Sequence, residues 1–131
     1  MIASSRELII TKDSPRSVPN TVSRLQEIAT AKGLKVFDVI DHSGEAKSVG
    51  LDLRDTKLVI FGNPKAGTPV MVANPLAGLD LPLKVLVWAD GDHTKMSYPA
   101  VAALAARYGL SDELANRLGA IDALTDAAIR D

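Results

Sequence analysis

"LVIFGNPKAGTPVMVANPLAGLDLPLKVLVW", Leu58–Trp88, is the stretch on which the fold turns. Its first apolar run, extended back as "TKLVIFG" (Thr56–Gly62), is unbroken, which suits a strand buried on both faces or central in its sheet. Thr68-Pro69 then supplies a capping hydroxyl followed by proline, predicting a helix that begins there. Pro75 and Gly78 lie close behind, so that helix must be short. "LKVLVWAD" (Leu83–Asp90) is a further strand, and "GDH" (Gly91–His93) turns it into "TKMSY" (Thr94–Tyr98) as an antiparallel hairpin.

Upstream, "ELIITKDSP" (Glu7–Pro15) reads as a strand ended by Asp13, Ser14 and Pro15. Ser17 is an N-cap with Pro19 in the first turn, and Val22, Leu25, Ile28 and Ala29 follow helical spacing up to Gly33. "LKVFDVID" (Leu34–Asp41) is a strand, and the polar "HSGEAKSVG" (His42–Gly50) forms a turn or short helix. After Pro99, Val101, Leu104, Ala105 and Tyr108 make a helical stripe closed by Gly109. Ser111 caps a second segment, with Asp112 and Glu113 suited to its N-terminal dipole. Leu114, Leu118, Ile121 and Leu124 give it an apolar face, and Gly119 is a place where it can split. The predicted order β-α-β-β-α-β-β-α describes one α+β domain over residues 1–131. Its sheet of about five strands is mostly antiparallel with helices on one face, and a helical segment covers 111–131.

Composition removes whole classes of function. With 131 residues and 47% apolar content the chain can bury a core, but only 4% of it is aromatic. A stacking platform for single-stranded nucleic acid needs more rings than that. The net charge is −1 and the basic residues are scattered, so no nucleic-acid partner is expected. Without cysteine there is no disulfide, thiolate metal site or thiol nucleophile. The opening "MIASSRELIITKDSPR" has no signal-peptide apolar region, and no run approaches the ~20 residues of a membrane span. A cytoplasmic protein is the expectation.

The loop "GNPKAGT" has the two glycines of a phosphate-binding P-loop, but Thr68 stands where that motif requires lysine. A weaker form keeps the backbone N–H groups at the predicted Thr68 helix start, with Lys65 beside them, as a carboxylate or phosphate site. Equally, Gly62 and Gly67 serve tight turns while Asn63 and Thr68 satisfy backbone. Asp41-His42 is the candidate acid–base pair. His42 shares strand parity with Val36 and Ile40, placing it at one edge of the core. His93, with Asp90 and Asp92, lacks the carboxylates of a calcium loop, so no metal is expected. Hairpin topology sets Tyr98 near Asp80, Leu81 and Pro82. If the Asn63–Lys65 loop reaches that edge, Asn63, Lys65, Asp80 and Tyr98 surround one cleft. Alternatively Tyr98 is buried, with its hydroxyl on a backbone partner.

Four segments, "IDHSGEAKSVGL" (Ile40–Leu51), "FGNPKAGTPVM" (Phe61–Met71), "GLDLPLKVLVW" (Gly78–Trp88) and "MSYPAVAALAARYGL" (Met96–Leu110), make the chain similar to the domain-of-unknown-function 302 family. The motif positions are Asp41, His42, Ala46, Gly62, Asn63, Pro64, Gly67, Thr68, Met71, Asp80, Pro82 and Tyr98. The resemblance implies a small α+β domain of the TATA-binding-protein-like or helix-grip class, often a homodimer, with no established activity, catalytic residue or cofactor to carry over. One departure is "SVPNTV" (Ser17–Val22), where relatives commonly have acidic residues.

Three functions follow as expectations. The first is a non-enzymatic dimeric domain holding a small, partly apolar or anionic molecule near Asn63–Thr68. An enzyme with His42 as acid or base, assisted by Asp41 or Lys65 in a cleft with Asn63 and Tyr98, is the second. The third is an assembly module whose C-terminal helix face meets another protein.

Overall fold

The computed structural model describes residues 8–130; the first seven residues of the N-terminal stretch read for an export signal lie outside them. The chain is α+β, with one open sheet in the order β1-β5-β4-β3-β2 and every neighbouring pair antiparallel. The strands are β1 (Ile9–Ser14), β2 (Lys35–Asp41), β3 (Thr56–Gly62), β4 (Leu83–Asp90) and β5 (His93–Pro99). The β4–β5 hairpin closes on Gly91-Asp92, where Gly91 takes the positive φ of 59° that a type II′ turn requires at its first central residue.

Helix α1 (Val18–Ala31) starts where the sequence places it: the Ser17 hydroxyl accepts the Asn20 amide at 3.2 Å. It lays Val18, Val22, Leu25 and Ala29 on the sheet. The segment after β2 is a short helix, α2 (His42–Ser48), so the element order contains one helix more than the predicted string at this point. Helix α3 (Pro64–Ala73) and a 3-10 turn (Pro75–Leu79) join β3 to β4. The C-terminal third forms α4 (Val101–Tyr108), α5 (Asp112–Arg117) and α6 (Ala120–Ile129), and Gly119 marks the split between the last two.

Cross-strand register sorts the two faces of the sheet. Val59, Phe61, Leu83, Val85, Val87, Met96 and Tyr98 are buried on the face that carries the helices. Ile121, Leu124 and Ala128 of α6 join this core, so the apolar face of the C-terminal helix closes its own domain. Removing one such side chain, as in Leu25→Ala, would cost about 2–5 kcal/mol. The opposite face carries Ile40, Leu58 and Leu86 in one cross-strand row ending in Ser97 and Thr11, with Ile60 and Trp88 in flanking rows. These apolar side chains are half-buried, and every buried helical side chain of the core cluster belongs to the other face.

Candidate functional site

Four elements converge on one cavity of about 330 Å³: the start of β2, the β3–α3 junction, the segment before β4, and the end of α5. Its wall is mainly apolar, built from Leu34, Phe37, Phe61, Met71, Leu81, Pro82, Leu83, Leu118 and Ala120. Polar side chains enter only as Asn63, Thr68 and Arg117. Volume and lining match a small-molecule pocket with few polar groups to set orientation.

The β3–α3 junction is built differently from its sequence-based expectation. Helix α3 begins at Pro64, not at Thr68-Pro69, because Asn63 is the N-cap: its Oδ1 accepts the Lys65 amide at 3.0 Å. Pro64 has no N–H, and the Ala66 and Gly67 amides both donate to the Asn63 carbonyl at 2.9 Å. All donors of the first turn are therefore used within the loop, which removes the backbone cradle expected for a phosphate. Thr68 and Pro69 lie inside the helix. Asn63 and Thr68 line the cavity, whereas Lys65 is exposed and does not.

Asp80 and Tyr98 are separated rather than shared by a cleft. Asp80 accepts from the Tyr108 hydroxyl and, at 2.8 Å, from Arg107 Nη1, tying the 3-10 turn to α4. The Tyr108 hydrogen bond and then Arg107 hold its carboxyl below the usual range. Tyr98 is buried, as the plainer alternative expects, but its hydroxyl donates to a side chain, Asp122 Oδ1, at 2.5 Å. Burial, with the Asp122 carboxylate second, pushes its pKa up. Lys12 lies 5.3 Å from the Tyr98 ring centroid and reaches Thr125 Oγ1 at 2.7 Å and Asp126 Oδ1 at 2.8 Å. This cluster pins α6 to β1 and β5.

His42 is exposed at the first position of α2 and does not line the cavity. Its expected parity fails because β2 carries a bulge between Val36 and Asp38, after which Val39, not Ile40, packs against the core. Asp41 is the N-cap of α2: Oδ1 accepts from the Gly44 amide at 2.9 Å, the Ser43 hydroxyl at 2.9 Å and Lys57 Nζ at 3.0 Å. The Gly44 amide, then Lys57 and Ser43, hold its carboxyl at about 2. Among the described residues His42 has no hydrogen-bonded carboxylate partner, and no group of three or more His, Asp or Glu is arranged to hold a metal.

Of the positions that carry the family resemblance, Gly62, Asn63, Pro64, Gly67, Thr68, Met71 and Pro82 line the cavity, whereas Asp41, His42, Ala46, Asp80 and Tyr98 do not. A family model described as "Domain of unknown function DUF302" matches residues 10–128. The chain belongs to the DUF302 family. The solved structure of an uncharacterized conserved DUF302 protein from Bacillus stearothermophilus superposes with a TM-score of 0.78 at 23% identity. The match covers 93% of this chain and 95% of that one, a likeness of fold.

Two curated relatives, each named fluoride-specific ion channel FluC 1, come from Brucella suis and Brucella abortus. Each is 39% identical over 110 residues, or 82% of this chain, but the match covers only 43% and 41% of those proteins. The DUF302 chain thus spans less than half the length of these relatives. Among its described residues no helix is long and apolar enough to cross a membrane.

Of the cavity's lining, sequence reasoning named only Asn63 and Thr68 as ligand-binding, and Arg117 and Phe37 are among the residues it missed. Phe37 carried a signal, a large aromatic amid a strand's alternation, which the bulge turned out to the surface, 44% exposed. Arg117 carried none, because only tertiary packing brings the end of α5 beside α3.

Proposed function

We propose that this DUF302 chain is a non-enzymatic binding domain whose cavity takes a small, mostly apolar molecule. The observation that carries this is the lining: a 330 Å³ space walled by aliphatic, aromatic and proline side chains, with Asn63, Thr68 and Arg117 as its polar side chains. Acid–base chemistry is disfavoured because His42, Asp41, Lys65 and Tyr98 all lie off the cavity wall. Burial of apolar ligand surface would supply about 25 cal/mol per Å².

The fluoride channels' function is not carried over to this cavity. The match covers only 43% and 41% of those proteins, and the wall of this cavity is mainly apolar. In those longer proteins we take the matched segment as an appended binding module.

Thermal unfolding against a panel of small apolar compounds tests the proposal, since a ligand of the folded state raises the midpoint. Ala66→Trp, which places a large ring at the cavity wall, should abolish such a shift. Shifts that survive Ala66→Trp, or a broad panel without any, would sink it.

The open sheet face favours a second element, homodimerisation through Leu58, Leu86 and Trp88. A solvated antiparallel face ordinarily alternates to polar residues, and this one keeps apolar residues at its centre.

A further inference from the structure

The geometry points to Arg117 as a specificity determinant that makes the ligand an amphiphile: an apolar body in the cavity and a single carboxylate at its rim. This rests on the binding function proposed above and names the class of molecule.

Arg117 is the one charged residue among those lining the cavity, so the end of the space it borders is the one place where a ligand's charge is matched rather than buried unpaired. Its guanidinium is held only loosely, by an i,i+4 ion pair with Glu113 whose Oε1 lies 3.6 Å from Nη2, beyond good hydrogen-bond distance. Glu113 is 81% exposed on its side chain and Arg117 is 42% exposed, so the pair is solvent-screened and easily exchanged. A planar guanidinium donates two parallel N–H bonds to a carboxylate, whose paired acceptor oxygens neither an alcohol nor an ammonium head has. Asn63 and Thr68 add neutral polar groups at the α3 side. The body of the ligand is set by volume: 330 Å³ at about 30 Å³ per water-sized atom accommodates about ten non-hydrogen atoms. A medium-length alkyl or a bicyclic aryl carboxylate has that size.

Calorimetric titration with octanoate, 1-octanol and octylammonium tests the assignment, because the three share a body and differ in head. Octanoate should bind about fivefold more tightly than octanol at low salt, and the advantage should shrink as ionic strength rises. Octylammonium should be the weakest. Arg117→Gln should bring octanoate affinity down to that of octanol measured on the same variant; Arg117→Lys should restore part of the advantage. Glu113→Gln, which deletes the competing carboxylate, should raise octanoate affinity without touching octanol. Arg117 is exposed at a helix end, so its variants should melt within a degree or two of the parent. Equal binding of octanoate and octanol, or an octanoate affinity indifferent to Arg117→Gln, overturns the assignment while the apolar cavity stands. Binding of none of the three overturns the assignment together with the binding function beneath it.

Discussion

The Lys65 amide donates to Oδ1 of Asn63 across 3.0 Å, and this bond decides what the Gly-flanked loop can do. With the Ala66 and Gly67 amides on the Asn63 carbonyl, the start of α3 is closed to an incoming anion. Asn63→Ala removes the cap and should destabilise the domain by about 1 kcal/mol, read from the urea midpoint. Millimolar inorganic phosphate should leave the thermal midpoint of the parent unmoved. A phosphate-dependent rise would show that the loop opens its donors in solution.

Gly67 stands in the interior of α3 without a positive φ, so its lack of a side chain serves space rather than backbone conformation. A Cβ there would lie 3.9 Å from Leu81 Cδ1 and from Met71 Cε, both cavity residues. Gly67→Ala should therefore stabilise the domain by about 0.5–1 kcal/mol through helix propensity. It should also shrink the cavity and weaken an apolar ligand. Stability and binding would move in opposite directions, as expected of a position kept small for function. Unchanged ligand affinity would place the ligand elsewhere.

The strands, α1 and the β4–β5 hairpin were legible because each announces itself locally, through apolar runs, the Ser17 cap and the Gly91 turn. Where the sequence misled, a local signal lost to a competitor nearby. Thr68-Pro69 looks like a helix start, but Asn63-Pro64 offers the same cap-plus-proline five residues earlier and extends the helix back to the strand. The His42 parity argument fails at the Phe37 bulge, which one strand's alternation cannot show because it is a property of pairing with β3. The cavity depended on tertiary packing. Asn63 and Thr68 were within reach of motif reasoning, whereas Arg117 enters only when α5 lies beside α3.

Tyr98, which the sequence allowed either at a cleft or buried with its hydroxyl on backbone, is a buried structural pin. Its hydroxyl is 2.5 Å from Asp122 Oδ1, with Thr125 Oγ1 at 3.4 Å, and the residue is 2% exposed. Tyr98→Phe keeps the ring in the core and deletes a hydrogen bond to a charged group, a loss of about 1.5–3 kcal/mol. The Asp122 carboxylate is exposed and can return to water, which puts the cost at the low end of that range. Ligand binding should be unaffected, because Tyr98 does not line the cavity. A loss of binding with intact stability would restore Tyr98 to the site.

Asp41 gives the domain an acid-side pH dependence. Its carboxyl is held at about 2 in the fold by the Gly44 amide, Lys57 and Ser43, below the ~3.9 of an unfolded chain. A folded-state value lower than the unfolded one gives stability that is fully present above the unfolded pKa. It is lost as pH falls through the folded pKa, here between about 4 and about 2. Asp13, lowered by Lys95, and Asp80, lowered by Tyr108 and Arg107, act with the same sign. Chemical denaturation at pH steps should show stability falling in that window, and Asp41→Asn should flatten part of the slope. An Asp41→Asn profile superimposable on the parent's would mean that the cap carries no such linkage.

The open sheet face gives the remaining prediction. Leu58 and Leu86 are cross-strand partners at its centre, with Ile40 beside Leu58 and Trp88 one row away. Trp88 Nε1 donates to Ser97 Oγ at 3.0 Å, which satisfies its polar atom and leaves the ring available for contact. Two such faces related by a two-fold axis would bury these side chains against their own copies. Light scattering should then give twice the 13.9 kDa chain mass. Leu86→Lys would place like charges against each other at the axis and should return the mass to one chain. The fold should survive, since Leu86 points away from the core and substitution at such a surface costs about 1 kcal/mol or less. A parent that runs as a monomer, or a dimer indifferent to Leu86→Lys, would exclude this face as the interface.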